Sequence, residues 1–315
     1  MTQPRLSVVL VTDTFTTIRP VIELLRRQTV RDQIELVLVA PAADALSEAL
    51  ALREEFAAVQ VLEHPLATLG PPRAEAIRAA TAPFVFIGET HTYANPELAE
   101  ALIEALEKGW TTATPCFVNA NPEGLLSWAA FLSDYGSWSP GLPEGRISRA
   151  PVHNTAYRRD VLLELGDTLG DTISRDDLLW DALRAGGHRS CLVPRARLEH
   201  VNVSRPWDWV KERFCVGLQV ASYRVRRWPV SRRLLHLAAS PLIPFVLTWR
   251  VLPGYRQASR NQPLPALALP AVCLGMCIWV LGEVAGYLGK SGRLSDYWML
   301  EYEIRKLSYT RHGAA

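Results

Sequence analysis

Pro83-Phe84-Val85-Phe86-Ile87-Gly88-Glu89-Thr90-His91 is a short apolar run that stops at two groups able to hold a cation. Thr81-Ala82-Pro83 bounds the run upstream, and its length and β-rich content read as a buried strand. Glu89 and His91 are spaced i, i+2, which in an extended chain puts both side chains on one side. At the carboxyl end of a parallel strand, that is where open α/β sheets bind their ligands.

Upstream, short apolar strands alternate with helix-like segments. Strands are predicted at Leu6–Val11, Glu35–Val39 and Val59–Glu63, with Pro83–Gly88 as the fourth. Helices are predicted at Ile18–Arg27, about Asp44 to Ala57, Pro72–Ala80 and Pro96–Lys108. This β-α-β-α order implies a mostly parallel sheet covered by helices. Pro140–Arg149 reads as a Gly/Pro loop.

With 315 residues, 49% hydrophobic and 21% charged, the composition suits a globular protein with some membrane character. A net charge of +2 gives no argument for a nucleic-acid partner. The five scattered cysteines contain no CxxC pair, which points to a reducing compartment. The apolar run Leu6–Val11 is too short for a signal-peptide core.

The character of the chain changes near residue 230. Leu234–Trp249 and Pro263–Leu288 are strongly apolar, and the second is long enough to cross a bilayer. Both contain prolines, and the second carries Glu283. Basic residues flank them on every side: Arg224 to Arg233 before, Arg250, Arg256 and Arg260 between, Lys290 and Arg293 after. If both segments spanned, the arginine-bearing middle loop would lie outside, against the positive-inside tendency. A re-entrant or interfacial hairpin avoids that conflict, and a pair of soluble core helices is the plainer alternative. The expected layout is a catalytic domain over 1–230 and a hydrophobic hairpin with a basic tail over 231–315.

The layout resembles the family 2 glycosyltransferases, whose fold is the Rossmann-like GT-A. The resemblance covers about residues 5 to 220. Leu6-Ser7-Val8-Val9-Leu10-Val11-Thr12 is similar to the family's opening strand, and Gln28 followed by Ile34–Val39 to its second. Gly70-Pro71-Pro72-Arg73-Ala74-Glu75-Ala76-Ile77 resembles the family's glycine-to-ARNxG stretch and keeps its arginine as Arg73. Glu89 and His91 fall on the two aspartates of the usual DxD. Asn154–Arg159 is similar to the strand and turn before the acceptor region. Ser174-Arg175-Asp176-Asp177, with Gly186-Gly187 downstream, resembles the start of the family's "ED" helix, and His200 follows a further strand where relatives carry a metal-binding histidine. The acidic pair normally found after the second strand is replaced by Ala40-Pro41-Ala42-Ala43, with only Asp44 nearby. Arg224-Val225-Arg226-Arg227-Trp228 resembles the QxxRW element of processive sugar polymerases, with arginine in the glutamine position; juxtamembrane basic residues would look the same.

The resemblance implies an inverting, nucleotide-sugar-dependent transferase. Its acceptor would be a lipid-linked or membrane-proximal glycan of the cell envelope. Its catalytic domain would face the cytoplasm at the cytoplasmic membrane, with membrane lipids as further partners. It also implies donor contacts from Thr12, Asp44 and Arg73, and a divalent metal, Mn²⁺ or Mg²⁺, on Glu89, His91 and His200. Transfer from a nucleotide sugar builds negative charge on the departing diphosphate, which a cation or an arginine stabilises. Imidazole in place of carboxylate favours Mn²⁺ or Zn²⁺-like ions over Mg²⁺. Otherwise His91 is a loop residue, Glu89 a helix cap and Arg73 a surface arginine. An inverting displacement needs a base for the acceptor hydroxyl. Ser174-x-x-Asp177 has capping-box-like spacing, which gives Asp177 a structural task and leaves Asp176 as the expected base, with Asp177 second. Both acids would equally complement a helix dipole. The altered DxD also admits a different class of function, an inactive GT-A domain serving as a binding or assembly partner.

Overall fold

The computed structural model describes residues 3–289 and 292–311, so Lys290 lies outside the described residues. In chain order the elements are β1 (Leu6–Val11), α1 (Phe15–Leu25), β2 (Ile34–Ala40), β3 (Ala58–Glu63), α2 (Gly70–Ala79), β4 (Phe84–Ile87) and β5 (Thr92–Ala94). Then come α3 (Leu98–Glu107), β6 (Thr112–Asn119), α4 (Leu125–Asp134), β7 (Gly145–Ile147), β8 (Ala156–Arg158), α5 (Arg159–Leu163), α6 (Leu169–Ile173), α7 (Asp176–Ala185) and β9 (Ser190–His200). The remainder is helical: α8 (Pro206–Arg227), α9 (Val230–Ala239), α10 (Ile243–Asn261), α11 (Ala268–Tyr287) and α12 (Arg293–Ile304).

The four predicted strands share one sheet, in the order β3-β2-β1-β4-β8-β6-β9-β5, with β7 added on β9. β1 runs parallel to β2 and to β4, and β2 parallel to β3, with Val9 opposite both Val37 and Ile87. β8 is antiparallel to β4 and β6. Every residue of β1, β2 and β4 is buried, as strands covered on both faces require. Alternation then sorts the side chains. Val9, Val11, Val37, Val39, Val85 and Ile87 form one core face with Ala74 and Ile77 of α2 and Leu169 and Ile173 of α6. At the end of β4, Gly88 donates its N–H to Val9 O at 2.9 Å, and a Cβ there would come within 2.8 Å of Leu10. Glycine lets the chain leave the sheet at that point.

Local differences from expectation have physical causes. Residues Ala43–Glu54 form 3-10 turns with a break at Leu46, not the α-helix expected from Asp44 to Ala57. Their buried residues, Leu46, Ala49 and Leu52, recur every three positions, the period of a 3-10 helix. Pro140–Arg149, expected as a loop, contains β7, which pairs antiparallel with β9.

By contact the chain forms two compact units, Met1–Val118 with Leu142–Glu199, and Asn119–Gly141 with His200–Ala315. The division falls within strands β6 and β9, whose last residues are Asn119 and His200. The first unit is the sheet with its covering helices.

The second unit is helical. α11 packs on α8, α4 and α10, and α12 packs on α8. The α8–α11 approach is very close: a Cβ at Gly217 would lie 1.9 Å from Trp279 O, and one at Gly282 would lie 2.1 Å from Phe214 O. Arg213 of α8, almost wholly buried, makes a two-pronged pair with Asp134 of α4 at 2.8 and 2.7 Å. Arg224 of α8 reaches Glu283 of α11 at 3.0 Å. Val230–Asn261 and Ala268–Tyr287 are both long and apolar enough to cross a membrane; few residues of the first are buried, and a little under half of the second. Leu235, Leu242, Phe245 and Trp249 face outward along the first.

Candidate active site

The parallel strands deliver several predicted residues to one edge of the sheet. Thr12 directly follows β1, Asp44 lies four residues beyond β2, and Glu89 lies two beyond β4. All three strands run the same way, so all three residues leave the carboxyl edge.

Glu89 and His91 lie in the connection from β4 to β5, beyond the regular strand. Strand alternation therefore does not bring them together; the turn does. His91 Nε2 lies 3.5 Å from Glu89 Oε2, and both side chains are buried. β5 begins directly after His91 and is the sheet neighbour of β9, whose last residue is His200. That pairing explains how a residue more than a hundred positions away joins them. One ligand atom from each of Glu89, His91 and His200 lies within 4.8 Å of the others, and all three residues are buried.

The hydrogen bonds around these side chains suit ligation. Asn202 donates through Nδ2 to Asn119 Oδ1 at 2.9 Å and to His200 O at 3.0 Å. Its amide oxygen therefore faces His200 Nδ1, 3.0 Å away, and that nitrogen carries the proton. Nε2 keeps its lone pair, as a metal-binding imidazole needs. Tyr135 packs over the ring with centroids 4.2 Å apart. Glu89 Oε2 accepts from Asn154 Nδ2 at 2.5 Å. The set of two imidazoles and one carboxylate, with a neutral amide on the carboxylate, fits a divalent first-row transition ion.

Arg73 is buried in the first turn of α2, not on a surface face, with Nη1 3.4 Å from His153 Nε2. Thr12 is buried, and its hydroxyl donates to Thr14 O at 2.9 Å, closing the turn after β1. Asp44 is exposed at the start of the 3-10 segment.

The capping box expected at α7 does not form. The N-cap is Arg175, without a side-chain cap bond, and Ser174 Oγ instead donates to Gly170 O at 2.7 Å. Asp177 is exposed and pairs with Arg175. Asp176 is half-buried, and its Oδ1 accepts the Val152 N–H at 2.8 Å. Its charge also acts on Tyr157. Burial first, and then Asp176, raise the Tyr157 hydroxyl well above its ordinary pKa, so it stays a neutral donor to Pro151 O and Val152 O.

A three-residue segment, 152–154, thus touches three predicted groups: Val152 holds Asp176, His153 meets Arg73, and Asn154 holds Glu89. From sequence neither Asn154 nor His153 has a site role: Asn154 opens the stretch that resembles a strand and turn, and His153 shows no ligand spacing. Asparagine before a strand is nevertheless a residue suited to a left-handed turn.

No protein-family model matches this chain, and no curated protein matches it in sequence. Among solved structures it resembles the mannosyltransferase PcManGT from Pyrobaculum calidifontis, in complex with GDP-mannose and Mn²⁺, with a TM-score of 0.57 at 18% identity. That match covers 92% of this chain and 89% of the other. It also matches S. aureus TarS, with a TM-score of 0.44 at 16% identity, over 71% of this chain and 40% of that one. The first likeness is one of fold.

Proposed function

We propose that the chain is an inverting glycosyltransferase that moves a sugar from a nucleotide-sugar donor to a lipid-linked or other membrane-proximal acceptor at the cytoplasmic membrane face. The observation that carries this reading is the buried Glu89, His91 and His200 cluster at the carboxyl edge of the sheet. The fold shared with a mannosyltransferase solved with GDP-mannose and Mn²⁺ supports it. The transfer machinery is assigned to residues 1–230 and the hydrophobic region to 231–315.

Glu89, His91 and His200 would hold a divalent cation, whose positive charge would favour departure of the nucleoside diphosphate. Two imidazoles in the set favour Mn²⁺ over Mg²⁺. Arg73 adds a fixed positive charge for the phosphates, and Thr12 and Asp44 border the donor. Asp176 takes the proton of the acceptor hydroxyl as that oxygen attacks the anomeric carbon. The bond from that carbon to the diphosphate oxygen breaks, and its electron pair leaves with the diphosphate. The Val152 N–H on Oδ1 fixes the Asp176 carboxylate for this task. The two apolar helices and the arginines around them support a membrane-proximal acceptor.

The test is turnover of nucleotide sugars by the purified full chain, with Mn²⁺, with Mg²⁺ and with a chelator. Mn²⁺-dependent donor hydrolysis or transfer, lost in Glu89→Ala, is expected. Donor binding without turnover under every metal condition would favour an inactive binding module, the class that the altered DxD brings to mind. Absence of donor binding would defeat both.

A further inference from the structure

We propose that Asn154 is a positioning residue that orients the Glu89 carboxylate for a divalent cation. The inference rests on the ion site proposed above and assigns a task to a residue outside it. Among the described residues, Asn154 is the one non-glycine with a positive φ, +59°. Asparagine tolerates this left-handed conformation better than most residues, but a buried instance at a polar cluster calls for a functional explanation.

The residue is bonded on two sides. Its backbone N–H donates to Ile87 O at 2.6 Å, and the next residue's carbonyl, Thr155 O, accepts from Ile87 N at 3.2 Å. Its main chain is thereby held to the last residue of β4, two positions before Glu89. Its side chain, wholly buried, donates from Nδ2 to Glu89 Oε2 at 2.5 Å and accepts at Oδ1 from the Thr92 hydroxyl at 3.2 Å. A carboxylate oxygen only accepts, so the NH₂ end must face Glu89 and the amide orientation is determined. One residue therefore bridges the strand before Glu89 and the strand after it.

The choice of donor is informative. A lysine or arginine against Glu89 would satisfy the buried carboxylate but also repel a cation. The Asn154 amide supplies its hydrogen bond without itself adding a charge beside the carboxylate. Asn202 plays the matching part for His200, accepting from Nδ1. Outer partners of this kind commonly change metal affinity by about 10- to 100-fold.

The experiment is Mn²⁺ binding to the full chain by titration calorimetry, paired with thermal melting in chelator. Asn154→Gly keeps the left-handed backbone accessible and deletes the amide. It is expected to bind Mn²⁺ about 10- to 100-fold more weakly while melting in chelator like the parent. Thr92→Val, which frees the amide to rotate, should show a smaller loss in the same direction, and it decides the matter if the glycine variant folds poorly. Parent-like Mn²⁺ affinity in the well-folded variants would overturn the role of Asn154. Glu89→Gln separates the two levels. If the parent binds no Mn²⁺, or Glu89→Gln binds it equally well, the ion site itself is wrong; if binding needs Glu89 but not Asn154, only this inference is.

Discussion

Asp176 and Asp177 are adjacent, yet their surroundings differ: the first accepts a backbone N–H and the second pairs with Arg175, and only the first is proposed as the base. Asp176→Asn keeps an oxygen for the Val152 N–H, so the fold should persist while transfer falls by about 10²- to 10⁴-fold. Asp177→Asn removes an exposed partner of Arg175 and should leave transfer near the parent value, with a stability change under about 1 kcal/mol. Initial rates and thermal melts of the two variants check this, and equal near-parent transfer would remove Asp176 from the mechanism. A second prediction concerns Glu35, buried in β2. Burial raises its carboxyl pKa, but hydrogen bonds from Ser7, the Thr81 N–H, Gln60 and the Thr81 hydroxyl outweigh that, and the net direction is downward. A lowered folded pKa stabilises above the ordinary carboxylate range and loses that contribution as pH falls through the folded value. Melting temperature should therefore drop on acidification below about pH 4.3, and Glu35→Gln should drop less steeply over the same window. At this scale residue type and the family resemblance nominated Glu89, His91, His200 and Arg73; the first three lie together, and their role is the one proposed above. The task proposed for Asn154 could not be read from sequence, because it rests on a backbone angle and a partner 65 positions away.

Between elements, the close approach of α8 and α11 sets the clearest expectation. Gly217→Ala gains helix propensity of about 1 kcal/mol, yet its Cβ would collide with Trp279 O, a backbone atom that cannot swing aside. Overpacking of this kind costs typically about 1–3 kcal/mol, so a net loss of stability is expected by chemical unfolding. A neutral or stabilising result would mean the two helices are further apart. The four parallel strands were readable because fully buried strands are continuous apolar runs with turn residues at their ends. The 3-10 character of Ala43–Glu54 was not, because Ala, Leu and Glu favour the α-helix and only packing selects every third residue. β7 was hidden because its three residues, Gly145 among them, owe their extended shape to β9 and not to their own preference. The missing capping box at α7 has a similar origin: Ser174 finds a nearer acceptor in α6.

For the whole molecule, the uneven charge matters more than the net value. Between Glu212 and Glu283 there is no acidic residue, while Arg224, Arg226, Arg227, Arg232, Arg233, Arg250, Arg256 and Arg260 all fall in that interval. Each basic side chain near an anionic bilayer contributes about 1 kcal/mol. The protein should sediment with vesicles containing anionic lipid, bind neutral vesicles more weakly, and lose part of the difference at high salt. Labelling of a Ser259→Cys variant from outside intact cells, with the native cysteines replaced, would show that both apolar segments span; recovery of the full chain in the soluble fraction without detergent would defeat the membrane reading. The change of character near residue 230 was legible from composition, but the enrolment of residues 119–141 in the second unit was not, since nothing local marks a helix for a distant partner. That enrolment has a consequence during synthesis. α4, with Trp128, Phe131 and Leu132 on its buried side, is complete at Asp134, but its neighbour α11 ends only at Tyr287. At about 5–20 residues per second, the ribosome needs roughly 8–30 s to make the intervening chain. For that interval a greasy helix waits without its mate, so the nascent chain calls for a chaperone or a lipid surface to shield it, and slowing translation downstream of residue 134 should lower the yield of folded protein.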